Sequence, residues 1–358
     1  MTRQPWHDAA EAVLLPLLSL AGALLLFGVW VWAGGHSPVQ AWTLLFSGAF
    51  GDAFSWQNTL QRAAPLMLTA LCLALPARAG LTIIGGEGAL VLGGLACAGL
   101  PYLMPVPQNT FGLALLLLAA AAAGAAWIAL AGALRQYRGV NETISSLLLG
   151  YIAIALFKHL VEGAMRDPAS LNKPSTLALP ETLRMGSIGS WDVHWGLAFG
   201  VVLCIAAAVW LGASTHGFAT RVVGGNARAA RLVGLPANRL IVTACALGGA
   251  GAGLAGGIEV AAVHTSANAS LIAGLGYAGI LVSFVARHHP LAIIPVAVLF
   301  GGFGAAGSLL QRRMGLPDAS VQVLLGFAFV LILAAEAWRG RLLPLPLFVR
   351  RPTLAAAV

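Results

Sequence analysis

Charged residues are scarce in this sequence. Asp, Glu, Lys and Arg make up 9% of its 358 residues against 59% hydrophobic, and the mean hydropathy is +0.87. Soluble domains carry roughly a quarter charged residues, so an ordinary water-soluble globular fold is excluded. Lysine is almost missing: Lys158 and Lys173 are the only two among 20 cations. Neither follows a glycine and G-x-x-x-x-G-K-[ST] does not occur, which excludes a P-loop ATP site in this chain. H-E-x-x-H and G-x-S-x-G are also absent, and no His/Asp/Glu cluster stands at catalytic spacing, so nothing here reads as an enzyme or a metal site. The four cysteines, Cys72, Cys97, Cys204 and Cys245, all lie inside apolar runs without a C-x-x-C pair. They read as small packing residues rather than disulfide or zinc partners.

What the chain does have is long apolar runs. A helix needs about 20 apolar residues to cross the hydrocarbon core. Candidate spans lie near 12–33, 59–77, 82–104, 112–134, 143–164, 195–214, 240–263, 270–286, 290–311 and 319–338, which predicts an all-α polytopic membrane protein of about ten helices. The first run has no clean small-residue cleavage site and reads as a retained helix rather than a signal peptide. An even number of spans puts both termini on one side. With the termini cytoplasmic, the inner segments hold Arg3, Arg78, Arg135, Arg138, Arg221, Arg228, Arg231, Arg239, Arg287, Arg339, Arg341, Arg350 and Arg351, and the outer ones Arg62, Lys158, Arg166, Lys173, Arg184, Arg312 and Arg313. Thirteen against seven orients the chain with short cytoplasmic tails of about 1–11 and 339–358 on one transmembrane domain, 1–358. The net charge of +8 is spread over short loops, where it suits an anionic lipid surface and not a nucleic-acid groove. Of the two long outer connections, 34–57 reads as a short interfacial helix plus a turn and 165–194 as a loop.

The inner connection 215–239 carries the most information. Within it, Gly224 to Pro236 is punctuated as a short helix: Asn226 to cap the start, an Ala-rich body, Gly234 for a left-handed stop and Pro236 to prevent continuation. Arg228 and Arg231 share one face; Ala227, Ala230 and Gly234 share another. Such a helix either docks into a partner or only orients the protein in the membrane. A second signal is Glu87 between Gly86 and Gly88, near the inner end of a span. A carboxylate at that depth needs a partner or a wet cavity, so Glu87 either lines a cavity or caps a neighbouring helix end. Glu259, with His264 and Asn268, stands towards the outer end of another span, as a polar vestibule or a snorkelled helix end. Gly251-Ala252-Gly253-Leu254-Ala255-Gly256 matches G-x-G-x-x-G literally, but it falls inside an apolar span without a preceding strand. With Gly249 and Gly257 it reads as a close-packing helix face.

Several stretches together resemble a known family. They are Arg62-Ala-Ala-Pro-Leu-Met-Leu-Thr-Ala-Leu, Gly80 to Gly88, and Gly139-Val-Asn-Glu-Thr-Ile-Ser-Ser-Leu-Leu-Leu-Gly-Tyr-Ile. Asn226-Ala-Arg-Ala-Ala-Arg-Leu-Val-Gly-Leu, Gly276-Tyr-Ala-Gly-Ile and His289-Pro-Leu-Ala-Ile-Ile-Pro complete the set. In order and spacing they resemble the permeases of bacterial ABC importers for branched-chain amino acids, ribose-type sugars and nucleosides, most closely the nucleoside and simple-sugar type. The resemblance implies an inner-membrane subunit whose residues 226–235 are a coupling helix, with Asn226, Arg228, Ala229, Ala230, Arg231, Gly234 and Leu235 facing a cytoplasmic ABC ATPase. It also implies a second permease subunit, identical or not, and an extracytoplasmic substrate-binding protein. This chain would hold no cofactor, ATP-Mg residing on the partner ATPase. Glu87, Ser145 and Glu259 are the candidates for the translocation pathway. The nucleoside branch usually reads Asn-Ile-Gly-Ala-Glu-Gly-Gln where this chain has Ile83-Ile84-Gly85-Gly86-Glu87-Gly88-Ala89, so two amides are replaced; where those amides touch the solute path, the resemblance implies a solute that is less polar or simply different. Other readings are a branched-chain amino acid or small-solute permease, or an ion-coupled secondary transporter, for which Glu87 and Glu259 are the intramembrane titratable candidates.

Overall fold

The computed structural model describes residues 5–338 other than Asp318, with side chains from Leu14 to Ala337; the tails holding Arg3, Arg339, Arg341, Arg350 and Arg351 lie outside the described residues. In chain order the helices are α1 (Pro5–Ala33), α2 (Pro38–Phe50), α3 (Ala53–Arg78), α4 (Gly86–Leu103), α5 (Thr110–Arg138), α6 (Glu142–Glu162) and α7 (Gly196–Ala213). They continue with α8 (Thr215–Gly225), α9 (Ala227–Leu232), α10 (Ala237–Ile258), α11 (Leu275–Val285), α12 (Pro290–Met314) and α13 (Ser320–Trp338). Nine of the described helices are long and apolar enough to cross a membrane, and the described residues contain no strand. The protein is an all-α polytopic membrane protein.

Local sequence sets the helix ends. Asp52, Asn109 and Asn141 each accept a hydrogen bond from the backbone N–H three residues on, closing the starts of α3, α5 and α6. Gly139, at φ +69°, stops α5 in the left-handed conformation.

Burial separates an inner from an outer layer. The α3 span is 78% buried and the span from Ala237 to His264 is 72% buried, whereas those of α5, α7 and α13 are 28% buried. The outer helices turn aliphatic side chains such as Leu118, Val202 and Val330 outward, as a hydrocarbon solvent requires. Small residues hold the inner layer together. A Cβ on Gly93 would fall inside van der Waals contact with the Gly253 carbonyl oxygen, and one on Gly124 with that of Gly249. Backbones of α4, α5 and α10 therefore touch directly, which confirms the glycine-rich face of α10 as packing surface. The literal dinucleotide pattern lies wholly within that helix.

Two segments differ from their sequence reading. The eighth span does not run unbroken from 270 to 286: Ala269–Leu271 is a single 3-10 turn, Gly274 takes φ +77°, and α11 begins only at Leu275. The glycines that make the run look uniformly apolar are what let the chain break there. The interfacial helix expected within 34–57 is α2, but it packs into the bundle. Its Ala49 and Gly48 meet Gly302 and Ala306 of α12, and the Trp42 indole lies over Gly28 of α1 with its Nε1–H donating to Leu24 O at 3.0 Å. The indole thus finds an acceptor inside the protein instead of at a membrane interface.

The connections collect on two opposite faces. On one, Thr143 donates to Thr82 O at 3.0 Å and Arg78 to His288 O at 3.1 Å, joining loops 79–85, 139–141 and 286–289, and Gly80 packs on Gly224 at the end of α8. On the other, the long segment 163–195 is laced over the end of α10. Thr176, Leu179 and Met185 donate their N–H groups to the carbonyls of Ala267, Thr265 and Ala261.

Candidate functional site

The short loop helix forms where the punctuation places it. Asn226 Oδ1 accepts from the N–H groups of Arg228 at 3.1 Å and Ala229 at 3.0 Å, and Gly234 takes φ +84°. The preceding helix α8 is an addition the sequence reading lacks. Ser214 caps it by accepting from Gly217 N–H at 2.9 Å, and Gly224 lies against Arg78 and Gly80, so α8 braces α9 against the end of α3.

The candidate contact residues separate by face. Arg228, Ala229 and Gly234 are exposed, as is Asn226, whose side-chain oxygen is committed to the cap. Ala230 is buried and Leu235 half-buried, joining the cluster of Ala79, Val223 and Ile241, so these two seat α9 on the bundle. Arg231 is exposed but held sideways, donating to Asn238 Oδ1 at 3.1 Å and Gln136 Oε1 at 3.5 Å. The sequence reading did not single out Leu232 and Val233, which are 85% and 74% exposed. An aliphatic pair inside an arginine-rich connection was the available signal, since a protruding apolar knob marks a contact surface. With Arg228, Leu232 and Val233 all outward the helix stands as a ridge, and two clefts of about 290 Å³ meet at Arg231 along its base.

Glu87 follows the capping alternative. It is 1% exposed, and its carboxylate accepts from Gly274 N–H at 2.9 Å and Gly276 N–H at 2.6 Å, with the Tyr277 N–H also directed at it. These are free N–H groups at the start of α11, the positive end of a helix interrupted within the bundle. Gly276 has no room for a side chain because the Glu87 backbone occupies that position. Ser145 is buried and donates locally to Glu142 O at 3.3 Å. Its neighbour Ser146 accepts from Ile84 N–H at 3.0 Å, pinning the extended loop that leads into α4. Ile83 and Ala89, which replace the two amides of the nucleoside branch, are both fully buried beside Cys72, Ile128 and Cys245, so those differences sit in packing contacts. Glu259 is not near Glu87. It opens a π-helical turn, Glu259–His264, pairs with His264 Nε2 at 3.6 Å and lies in the field of Arg62. π-turns of this kind recur at functional positions.

On the loop-helix face, His288 takes φ +56°, and its Nδ1 pairs with Ser283 Oγ at 2.9 Å. Burial, and secondarily the Arg78 guanidinium, push its imidazole down from 6.5 to about 4. A depressed histidine contributes stability that is complete above the unfolded value and is lost as pH falls through the folded one. The window is therefore pH 6.5 to 4, with an effect on the order of 1–3 kcal/mol. Thermal unfolding of the detergent-solubilised protein should show a drop in apparent Tm between pH 7 and pH 5, and His288→Gln should shrink that drop.

Residues 55–334 match the family described as branched-chain amino acid transport system / permease component. The chain is 30% identical over 334 residues to the glucose ABC transporter permease protein TsgB13 of Haloferax volcanii, covering 90% of this chain and 88% of that one. It is 27% identical over 337 residues to the guanosine ABC transporter permease protein NupP of Bacillus subtilis, covering 91% and 94%. The nucleoside ABC transporter permease protein NupB of Lactococcus lactis is 26% identical, with 89% and 90% covered. A glycine-packed bundle of apolar helices, a braced loop helix on one face and a family match over residues 55–334 agree, and the chain belongs to the branched-chain amino acid transport system permease family as the membrane-spanning permease subunit of an ABC importer.

Proposed function

We propose that this subunit forms, with a second permease, the path by which a neutral nucleoside or simple sugar crosses the bacterial inner membrane, driven by ATP hydrolysed on separate cytoplasmic ATPase subunits. The observation that carries this reading is the ridge of α9. It is capped at both ends, braced by α8 and seated through Ala230, and it presents Arg228, Leu232 and Val233 outward. A rigid ridge of this kind transmits force from a partner that grips it. The ridge lies with loops 79–85, 139–141 and 286–289, where the described arginines concentrate, so that face and both termini are cytoplasmic. The long segment 163–195 then faces an extracytoplasmic binding protein that delivers the solute. ATP-Mg belongs to the ATPase.

A neutral solute is favoured for an electrostatic reason. The N-terminus of α11 is the kind of broken-helix end that binds a substrate carboxylate, and here Glu87 occupies it. A nucleoside or hexose needs no such anion site, whereas a branched-chain amino acid does. The relatives named for glucose, guanosine and nucleosides agree with this choice. The same occupancy weighs against ion coupling, because Glu87 is bound to the backbone and Glu259 to His264.

Co-purification from native membranes in mild detergent should recover an ATPase, a second permease and, through it, the binding protein. Recovery of this chain alone across several detergents would count against the reading. Gly234→Asp tests the lever itself. The position is open to solvent, with nothing within 4 Å of an added Cβ, and aspartate tolerates the left-handed conformation better than most residues. The variant should insert normally and lose about tenfold or more of ATP-dependent uptake, the effect of a charge placed in a buried contact. Wild-type uptake in that variant would remove α9 from the ATPase interface.

A further inference from the structure

We propose that Tyr151 and Tyr277 together line the translocation path and stack against the flat ring of a nucleoside in transit; the inference rests on the importer reading above. The chain has only four tyrosines, and the fold brings these two to the same place. Two glycines seat two different helices on the start of α4. A Cβ on Gly88 would lie 2.7 Å from Gly150 Cα of α6, and the backbone of Glu87 lies where a Cβ of Gly276 would be in α11. Tyr151 follows Gly150, the residue on which Gly88 rests, and Tyr277 follows Gly276; each tyrosine is exposed, 58% for Tyr151 and 40% for Tyr277. They therefore flank the point at which α4 and α11 both begin.

Their depth is what sets them apart from ordinary membrane tyrosines, which gather at the two interfaces. Tyr151 is the tenth residue of the 21-residue α6, so it stands roughly 15 Å from either end. Tyr277 is the third residue of α11, about 12 Å from the end of that helix. An exposed phenol at that depth, turned towards acyl chains, would leave its hydroxyl without a partner, which hydrocarbon penalises. An aqueous path, closed on its far side by the second permease, removes that penalty. Aromatic faces bind flat heterocycles without needing charge, and charge is what this region lacks once Glu87 is committed to α11.

The test uses the full transporter reconstituted with its partners, in two arms. In the first, Tyr151→Cys and Tyr277→Cys are treated with a charged, water-soluble methanethiosulfonate reagent. All four native cysteines are buried, so background is low. Both positions should be modified, and guanosine delivered with ATP should slow the modification. Labelling only by a lipid-soluble maleimide would mean that the rings face lipid, and no labelling by either reagent would mean that they are packed under the second permease. Either result overturns the proposal. In the second arm, Tyr→Phe variants should keep guanosine uptake within about twofold, while Tyr→Ala variants should lose about tenfold, the scale of one stacking contact, with ATP hydrolysis and assembly retained. Alanine variants that transport at the wild-type rate would refute it. Failure of the importer reading would show separately, as wild-type vesicles without ATP-dependent uptake. A wild-type transporter that labels as expected but moves glucose and not guanosine would overturn the nucleoside assignment.

Discussion

Gly253→Val should abolish the folded protein, reducing the yield of monodisperse material by about tenfold or more and eliminating uptake with it. Gly253 is the crossing point of three helices. A Cβ there would penetrate the Ala120 carbonyl oxygen and approach Gly124 Cα at 2.9 Å, while Gly93 of α4 rests on the Gly253 carbonyl from the other side. These neighbours are backbone atoms, so no side chain can rotate away. Overpacking a core that can adjust its rotamers costs about 1–3 kcal/mol. Here whole helices must separate, and most contacts of α10 with α4 and α5 go with them. Even Gly253→Ala should lower the apparent Tm measurably. Gly212→Ala in α7 is the matched control: it too is a helical glycine, but nothing lies within 4 Å of its added Cβ. Alanine there should be neutral or slightly stabilising, since glycine costs about 1 kcal/mol relative to alanine in a helix. Equal behaviour of the two variants would show that backbone contact is not what holds α10 in place.

How far the sequence discloses this structure depends on whether the deciding contact is local. Nine spans are legible because a run of apolar residues longer than the hydrocarbon thickness has few other solutions. The caps of α9 are legible because Asn226 and Gly234 act on backbone groups within a turn of themselves. By contrast, α8 is invisible to that reasoning. It is short and polar, and it is held by Ser214 at one end and by contact of Gly224 with Arg78 at the other. The break before α11 is also hidden, since Ile272, Ala273 and Leu275 keep the run apolar through it. Glu87 stands out from its surroundings as a lone charge, yet its partners lie 187 and 189 residues away. Both of its candidate duties, lining a cavity and capping a helix, were consistent with the sequence, and only the placement of Gly274 and Gly276 separates them. The exposed faces behave likewise. Leu232, Val233, Tyr151 and Tyr277 are ordinary apolar and aromatic residues in the sequence, and their exposure is a property of the assembled bundle.

That distinction leads to the second large effect. Glu87→Ala should destabilise the protein by roughly 3–5 kcal/mol, because it strips the acceptor from at least two buried N–H groups at about 1–3 kcal/mol each and removes the charge that faces the α11 dipole. Glu87→Gln should fall between alanine and wild type. One amide oxygen still accepts, but the amide NH₂ is turned towards backbone donors that it cannot satisfy. The two variants separate structure from titration. If Glu87 carried a proton during transport, Gln would stop uptake and leave the apparent Tm near wild type. If it caps α11, apparent Tm and uptake should fall together, in the order wild type, Gln, Ala, and uptake by the surviving fraction of Gln protein should show the same pH profile as wild type. The prediction follows from the 2.6 Å bond to Gly276, which places the carboxylate where the N-terminus of α11 needs an anion. A Glu87→Gln protein with wild-type thermal stability would remove the cap from the account of this fold, and with it the reason for expecting a neutral solute.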